Sequence, residues 1–258
     1  LFATVPGLYR QILKYCDLNG YDLSSLRHGL TAGEALSPSL WQAWCDATGK
    51  QLYEALGMSE CSTYVSCSPS TPTRPGSPGK PQEGRCVVTL PLEGGSEPMA
   101  EGQIGLLAVH RSDPGLMLGY WNRPEEESLV YRGDWFIGGD LANFDKDGYL
   151  HYQGRNDDIM NAMGYRVSPL EVESCLIAHP AVAEVAVTEL KVREDVSVIA
   201  AFVVPQDPDE DLDAGPLLAF AHEKLATYKC PREIIFTDRL PRTANGKVMR
   251  RELAKWHR

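Results

Sequence analysis

Apolar and polar positions fall into three regimes along the chain. From 1 to 66, short apolar runs alternate with stretches of helical spacing. LFATV is a β-branched run that Pro6-Gly7 breaks, after which Leu8, Ile12 and Tyr15 recur at helical intervals. Leu26 to Thr31 predicts a second strand. Ser37-Pro38 supplies an N-cap and a first-turn proline, with Leu40, Trp44 and Ala47 on one face of the helix that follows, and Gly49 stops it. QLYEAL predicts a third strand. A β-α-β-α-β order implies parallel strands joined by right-handed crossovers.

Residues 67–156 change character. SPSTPTRPGSPGKP is dense in Pro, Gly and Ser and reads as a loop. Five short apolar runs follow, split by turn signals: RCVVTL, IGLLAVH, LMLGYW, WFIGGDLANF and GYLHYQGR, the last two joined at Asp147-Gly148 by a hairpin turn. That spacing predicts an all-β barrel or sandwich. Residues 157–258 mix again. Ser168-Pro169-Leu170-Glu171 has the form of a capping box, with Val172, Cys175 and Leu176 on the buried face of the helix it opens. AVAEVAVTEL, VSVIAAFVV and EIIFTDRLP predict strands. Leu218, Ala221 and Leu225 mark a further amphipathic helix, and the acidic stretch 207–215 reads as a solvated loop. The fold class expected is α/β: a partial parallel α/β subdomain over 1–66, a β-barrel over 67–156, and a separate C-terminal α+β domain over 157–258.

Composition narrows the function. A net charge of -10 leaves no basic field for nucleic acid, so any anionic ligand must be held by a few local groups. The seven cysteines, at 16, 45, 61, 67, 86, 175 and 230, contain no C-x-x-C pair and read as free thiols of a reducing, cytoplasmic protein. No apolar run reaches the ~18 residues of a membrane span. There is no signal peptide, and the chain opens on Leu1 with a strand already in progress, which reads as part of a longer protein. GSPGKP lacks the Walker spacing, Asp145–Gly148 lacks the later acids of a calcium loop, and the six histidines show no metal-ligand spacing.

Four segments carry candidate chemistry. TAGEAL, 31–36, is a strand end turning through Gly33 toward a helix, on the edge where open α/β sheets bind ligands. ALGMSE, 55–60, adds Gly57 for close backbone approach, the Ser59 hydroxyl and the Glu60 carboxylate; a hydroxyl with a carboxylate suits a phosphate and its Mg²⁺. GDLANFDKDGYLHYQGRNDD, 139–158, sets Asp140 before a strand pair and Arg155 after it. PRTANGKVMRREL, 241–253, has an Asn245-Gly246 turn that presents Lys247.

In this order the four segments resemble the adenylate-forming superfamily of acyl-CoA synthetases, luciferases and peptide-synthetase adenylation domains, over essentially the whole chain. TAGEAL is similar to its adenine-binding turn, ALGMSE to its G-x-[TS]-E signature, 139–173 to its ribose-binding and domain-linking run, and PRTANGK to its P-[RK]-[TS]-x-x-G-K catalytic turn. The resemblance implies that Gly33, Glu34 and Ala35 line an adenine, with Leu56 and Gly57 beside it. Ser59 would contact the α-phosphate and Glu60 would hold Mg²⁺. Asp140 would bind the ribose hydroxyls and Arg155 the ribose or phosphate. Asp157 would be a hinge, Gly164 would line the pantetheine tunnel, and Lys247 would bridge carboxylate and phosphate during adenylation.

Three positions depart from the pattern. Leu56 stands where an aromatic residue is common, Ser59 where Thr is commoner, and Met163 where many relatives have a second Gly. The family's Ser/Thr- and Gly-rich phosphate loop has no counterpart in 1–30, so this chain alone is expected to be inactive. The implied parent is an ATP-dependent carboxylate–CoA ligase, with a small carboxylic acid, ATP and CoA as partners and a homodimer left open. The alternatives are a non-catalytic nucleotide- or CoA-binding piece and an adenylation domain loading a carrier protein.

Overall fold

The computed structural model describes residues 1–162, 165–193, 196–207, 213–243 and 248–256. They divide into two units, Leu1–Tyr152 and Gln153–Arg258. The first unit opens with β1 (Phe2–Thr4), α1 (Pro6–Tyr15), β2 (Gly29–Ala32), α2 (Pro38–Thr48) and β3 (Leu52–Met58), followed by β4 (Ser62–Ser66) and β5 (Lys80–Pro81). They form one sheet in the order β1-β2-β3-β4-β5, parallel across β1, β2 and β3 and antiparallel beyond.

The helices cover this sheet through Tyr9, Leu36, Leu40, Trp44 and Leu52, all buried. On α1 only part of the face that apolar spacing indicated is turned inward, where Ile12 packs against this core. Leu8 and Tyr15 are exposed, and Tyr9 is the enclosed residue. Its hydroxyl donates to Phe2 O at 2.9 Å and to Leu30 O at 3.0 Å, so one side chain ties the helix to two strands while satisfying its own polar end. On α2 the Ser37 side chain accepts from Leu40 N and Gly49 ends the helix left-handed, as the end signals indicated; Leu40 and Trp44 are buried but Ala47 is exposed.

The second sheet of this unit contains β6 (Val87–Leu90), β7 (Gly105–His110), β8 (Tyr131–Arg132), β9 (Trp135–Phe144) and β10 (Leu150–Arg155), with α3 (Pro124–Leu129) before β8. Its order is β10-β9-β7-β6, with β8 on β9. It curls as a half-barrel over Cys61, Tyr64 and Val65, which meet Leu107, Val109, Ala142 and Leu150 in one core. LMLGYW is not a strand. It runs irregularly between β7 and α3, with Leu118 and Trp121 exposed.

The second unit adds the hairpin β11 (Met160–Ala162) and β12 (Tyr165–Val167), then α4 (Pro169–Leu176), β13 (Val182–Arg193), β14 (Val196–Pro205), α5 (Ala214–Lys224), β15 (Glu233–Phe236) and α6 (Arg250–Trp256). β13 and β14 pair antiparallel, and β15 joins β14 in parallel. Alternation along β14 sorts two cores: Ile199, Ala201 and Val203 pack with Val172, Leu176 and Leu217, while Ala200 and Phe202 pack with Leu190 and Leu253. Ser168 precedes α4 without capping it. Its hydroxyl donates to Gln153 O at 2.6 Å instead. On α5, Leu217 and Ala221 are the buried positions, and Leu225 is the extended residue that ends the helix.

Candidate functional site

The two strand-end segments are neighbours. Ala32 pairs with Ala55 in the parallel β2–β3 ladder, so the turn through Gly33 (φ 93°) and the continuation of β3 leave the sheet at the same edge. Ser59 and Glu60 form the tip of the β3–β4 hairpin, which closes at the Met58–Ser62 pair with Cys61 N donating to Met58 O at 3.2 Å. Gly57 permits a close approach, but the backbone it meets is that of β4. A Cβ there would lie 2.6 Å from Ser62 O and 2.9 Å from Thr63 Cα. Leu56 is half-buried and packs on the core shared with the second sheet.

Glu54 joins the two segments. It is buried in β3, opposite Thr31, and its Oε1 accepts the Leu36 N–H at 3.0 Å. Burial pushes its carboxyl up from 4.5 to about 7, against the lowering effect of the Leu36 bond. A carboxyl that holds its proton more tightly when folded stabilises most below its unfolded pKa. That contribution declines as pH rises from about 4.5 to about 7 and is gone above it, an amount on the order of 3 kcal/mol. Glu54→Gln keeps an acceptor for Leu36 and cannot ionise. It is expected to leave stability unchanged at pH 4 and raise it at pH 8 by up to ~3 kcal/mol, as denaturant midpoints at the two pH values will read.

Asp140, on β9, is buried and accepts from the Tyr152 hydroxyl at 3.0 Å. It therefore has a fixed carboxylate on the half-barrel side of the first unit. Ser77 fastens the 68–81 loop to the same sheet, its Oγ donating to Leu150 O at 2.6 Å. Asp145 is a turn residue, as its incomplete acid pattern indicated: its Oδ1 accepts from Asp147 N and Tyr149 N, each at 2.9 Å.

In the second unit Arg155 pairs with Asp157 (Nε to Oδ1, 3.0 Å), and Asp157 also meets Arg251 Nη2 at 3.0 Å. Beside them Arg250 holds Glu173 through two bonds of 2.9 and 2.7 Å and approaches Asp158 at 3.6 Å. The chain entering this unit is thus pinned to the start of α6. Lys247 and Gly164 lie outside the described residues. Arg242 and Val248, the latter next in sequence to Lys247, form an antiparallel bridge.

Sequence reasoning overlooked Glu54, Tyr152 and Tyr120. Only the first carried a signal, an acid in the middle of an apolar strand. The Tyr120 hydroxyl donates to Glu60 Oε1 at 3.0 Å across 60 positions of chain. Among the described residues no cluster of three His, Cys, Asp or Glu side chains could hold a metal. No helix there is long and apolar enough to cross a membrane.

Comparison with known proteins gives the family of the chain. The family model for the AMP-binding enzyme matches residues 1–121, and that for the AMP-binding enzyme C-terminal domain matches residues 171–247. A 3-hydroxybenzoate–CoA ligase of Aromatoleum sp. (strain CIB) is 36% identical over 260 residues, covering 99% of this chain and 49% of that protein. An acetyl-coenzyme A synthetase of Bacillus subtilis is 37% identical over 262 residues, covering 99% and 46%. Among solved structures, the anthranilate CoA ligase AuaEII in complex with anthranoyl-AMP superposes with a TM-score of 0.86 at 36% identity, over 99% of this chain and 49% of that one. The chain spans about half the length of the curated relatives it matches.

Proposed function

This chain belongs to the AMP-binding enzyme family, and from that premise we propose that it is the C-terminal part of an AMP-forming carboxylate–CoA ligase. One observation carries the reading. The 33–36 turn and the Ser59–Glu60 hairpin tip leave the same edge of a parallel sheet and are joined there by the Glu54–Leu36 bond. That edge is where open α/β sheets take nucleotides.

In this reading Gly33, Glu34 and Ala35 border the adenine, with Leu56 and Gly57 beside them, and Ser59 offers a hydroxyl to the α-phosphate. Asp140, held by Tyr152, takes the ribose hydroxyls, and Arg155 serves the ribose or phosphate. Glu60 fits a Mg²⁺ carried on the nucleotide. Its Oε1 is engaged by Tyr120, and Oε2 has no hydrogen-bond partner among the described residues. One carboxylate with phosphates and water is the oxygen environment Mg²⁺ prefers. When bound, the ion would offset phosphate charge.

The chemistry has two halves. A carboxylate oxygen attacks the α-phosphorus of ATP, forming a P–O bond while the bond to pyrophosphate breaks and pyrophosphate leaves. The CoA sulfur then attacks the acyl carbon, losing its proton, and the C–O bond to AMP breaks. Lys247 supplies positive charge to the first half, where two anions meet. Asp157, in the segment that opens the second unit, is the hinge that exchanges Lys247 for Gly164 between the halves. The seven unpaired cysteines support a cytoplasmic setting.

The test is pyrophosphate exchange into ATP by the full-length protein, with a panel of aliphatic and aromatic acids, followed by addition of CoA. Acid-dependent exchange and an acyl-CoA product are expected. Nucleotide binding without exchange would overturn the reading in favour of a non-catalytic binding protein. Product formed only on a carrier protein's pantetheine would overturn the choice of CoA.

A further inference from the structure

The hairpin tip that presents Glu60 is gripped from outside its own sheet. The segment between β7 and α3, residues 111–123, reaches it at three points. Asp113, whose side chain is fully enclosed, accepts from the Cys61 thiol (Sγ to Oδ1, 3.8 Å) and forms an ion pair with Arg85. Burial pushes the Cys61 thiol up to about 11, so it keeps the proton it donates. Met117 N–H donates to Glu60 O at 2.6 Å. The Tyr120 hydroxyl donates to Glu60 Oε1 at 3.0 Å. Arg85 completes the frame, its Nη2 donating to Thr63 O at 3.0 Å on β4.

These contacts divide the work. The Asp113 and Met117 contacts fix where the Glu60 backbone sits. They leave the glutamate side chain its own rotamer freedom, which must be given up before it can hold a fixed ligand. Tyr120 alone of the three reaches the carboxylate. It is a neutral donor, so it orients the group without cancelling its charge. It also takes one oxygen and leaves the other. An arginine there would have formed a salt bridge and competed with any cation.

We propose that Tyr120 is a positioning residue that holds the Glu60 carboxylate by Oε1 and keeps Oε2 available to the divalent cation on the nucleotide. The inference rests on reading Glu60 as the carboxylate that meets that cation. It adds a residue that touches neither nucleotide nor acid but sets how tightly the metal-bound form is held.

The experiment uses the full-length protein with Mn²⁺ as the probe. Water-proton relaxation enhancement reports the Mn²⁺–nucleotide–protein complex as Mn²⁺ is titrated at fixed ATP, and calorimetry gives the affinity for AMP, which carries no metal. Tyr120→Phe keeps the ring and removes the hydroxyl. It should raise the Mn²⁺ concentration at half-saturation about tenfold, the loss of one hydrogen bond to a charged group, with AMP affinity unchanged. Glu60→Gln should weaken Mn²⁺ at least as much, and Tyr120→Phe added to Glu60→Gln should change nothing further. Unchanged Mn²⁺ binding in Tyr120→Phe beside weakened binding in Glu60→Gln would overturn the inference and leave the reading of Glu60 standing. Unchanged binding in Glu60→Gln would overturn that reading, and the inference with it. Equal losses of Mn²⁺ and AMP affinity in Tyr120→Phe would show a structural role and also overturn it.

Discussion

Replacing Lys247 by alanine in the full-length protein is expected to cut acyl-adenylate formation by roughly 10²–10³, the scale of losing one transition-state charge partner. The reason is electrostatic. A carboxylate and a triphosphate are both anions, and bringing them into bonding distance in a partly dry site needs positive charge at the point of attack. The second half-reaction has no such clash, because a thiol meets a mixed anhydride with AMP as leaving group. Thioester formation from pre-formed acyl-adenylate should therefore survive in Lys247→Ala. Single-turnover assays of each half separate the two, and equal losses in both would refute the role. The opposite split is expected for Asp157→Pro, which fixes φ at the proposed hinge: adenylate forms, and transfer to CoA slows.

The second large effect is on folding. Gly79→Ala should destabilise the protein by about 4 kcal/mol or more, with a denaturation midpoint shifted accordingly. Two independent costs add at this position. Gly79 has φ 111°, where an L side chain is strained. A Cβ would also fall on the Ser66 carbonyl and Cys67 N, backbone atoms that cannot swing aside. The site matters because Gly79 closes a junction. Leu150 N donates to Gly79 O at 2.9 Å, and Ser77 Oγ accepts from Gly79 N at 3.2 Å, next to β5. Opening it would separate the β4–β5 edge from β10 and loosen the core around Tyr64 and Leu150. Gly76→Ala, at φ 87° but with no atom within 4 Å of the new Cβ, carries the first cost alone and should lose about 1 kcal/mol.

Regular elements were legible where periodicity and punctuation agreed. WFIGGDLANF is β9 over the same ten residues, since the turn residues before it and Asp147-Gly148 after it leave no other frame. IGLLAVH contains β7 for the same reason. Errors arose where apolar character was taken for burial. LMLGYW has strand-like composition, but its residues serve the Glu60 hairpin and the surface, and no ladder accepts them. On α1 the apolar count favoured Leu8 over Tyr9, yet tyrosine is the better core residue there because two strand carbonyls meet its hydroxyl. Ser168 had the right neighbours for a cap, and a carbonyl at Gln153 outcompeted the helix for its hydroxyl. The motif residues of the candidate site could be read singly from the chain. Their supports could not, because Glu54–Leu36 and Tyr120–Glu60 link positions 18 and 60 residues apart.

The Glu54 carboxyl has a consequence for how this protein can vary. Its Oε1 accepts from Leu36 N and so ties the 33–36 turn, proposed to border the base, to the strand that leads to Ser59 and Glu60, proposed to serve the phosphate and its cation. A substitution that shifts the Leu36 amide moves the strand from which Ser59 and Glu60 project, and the reverse also holds. Residues 34–36 and 57–60 therefore cannot drift independently. Their mutational effects should be non-additive, and a change tolerated in one loop should require a matching change in the other.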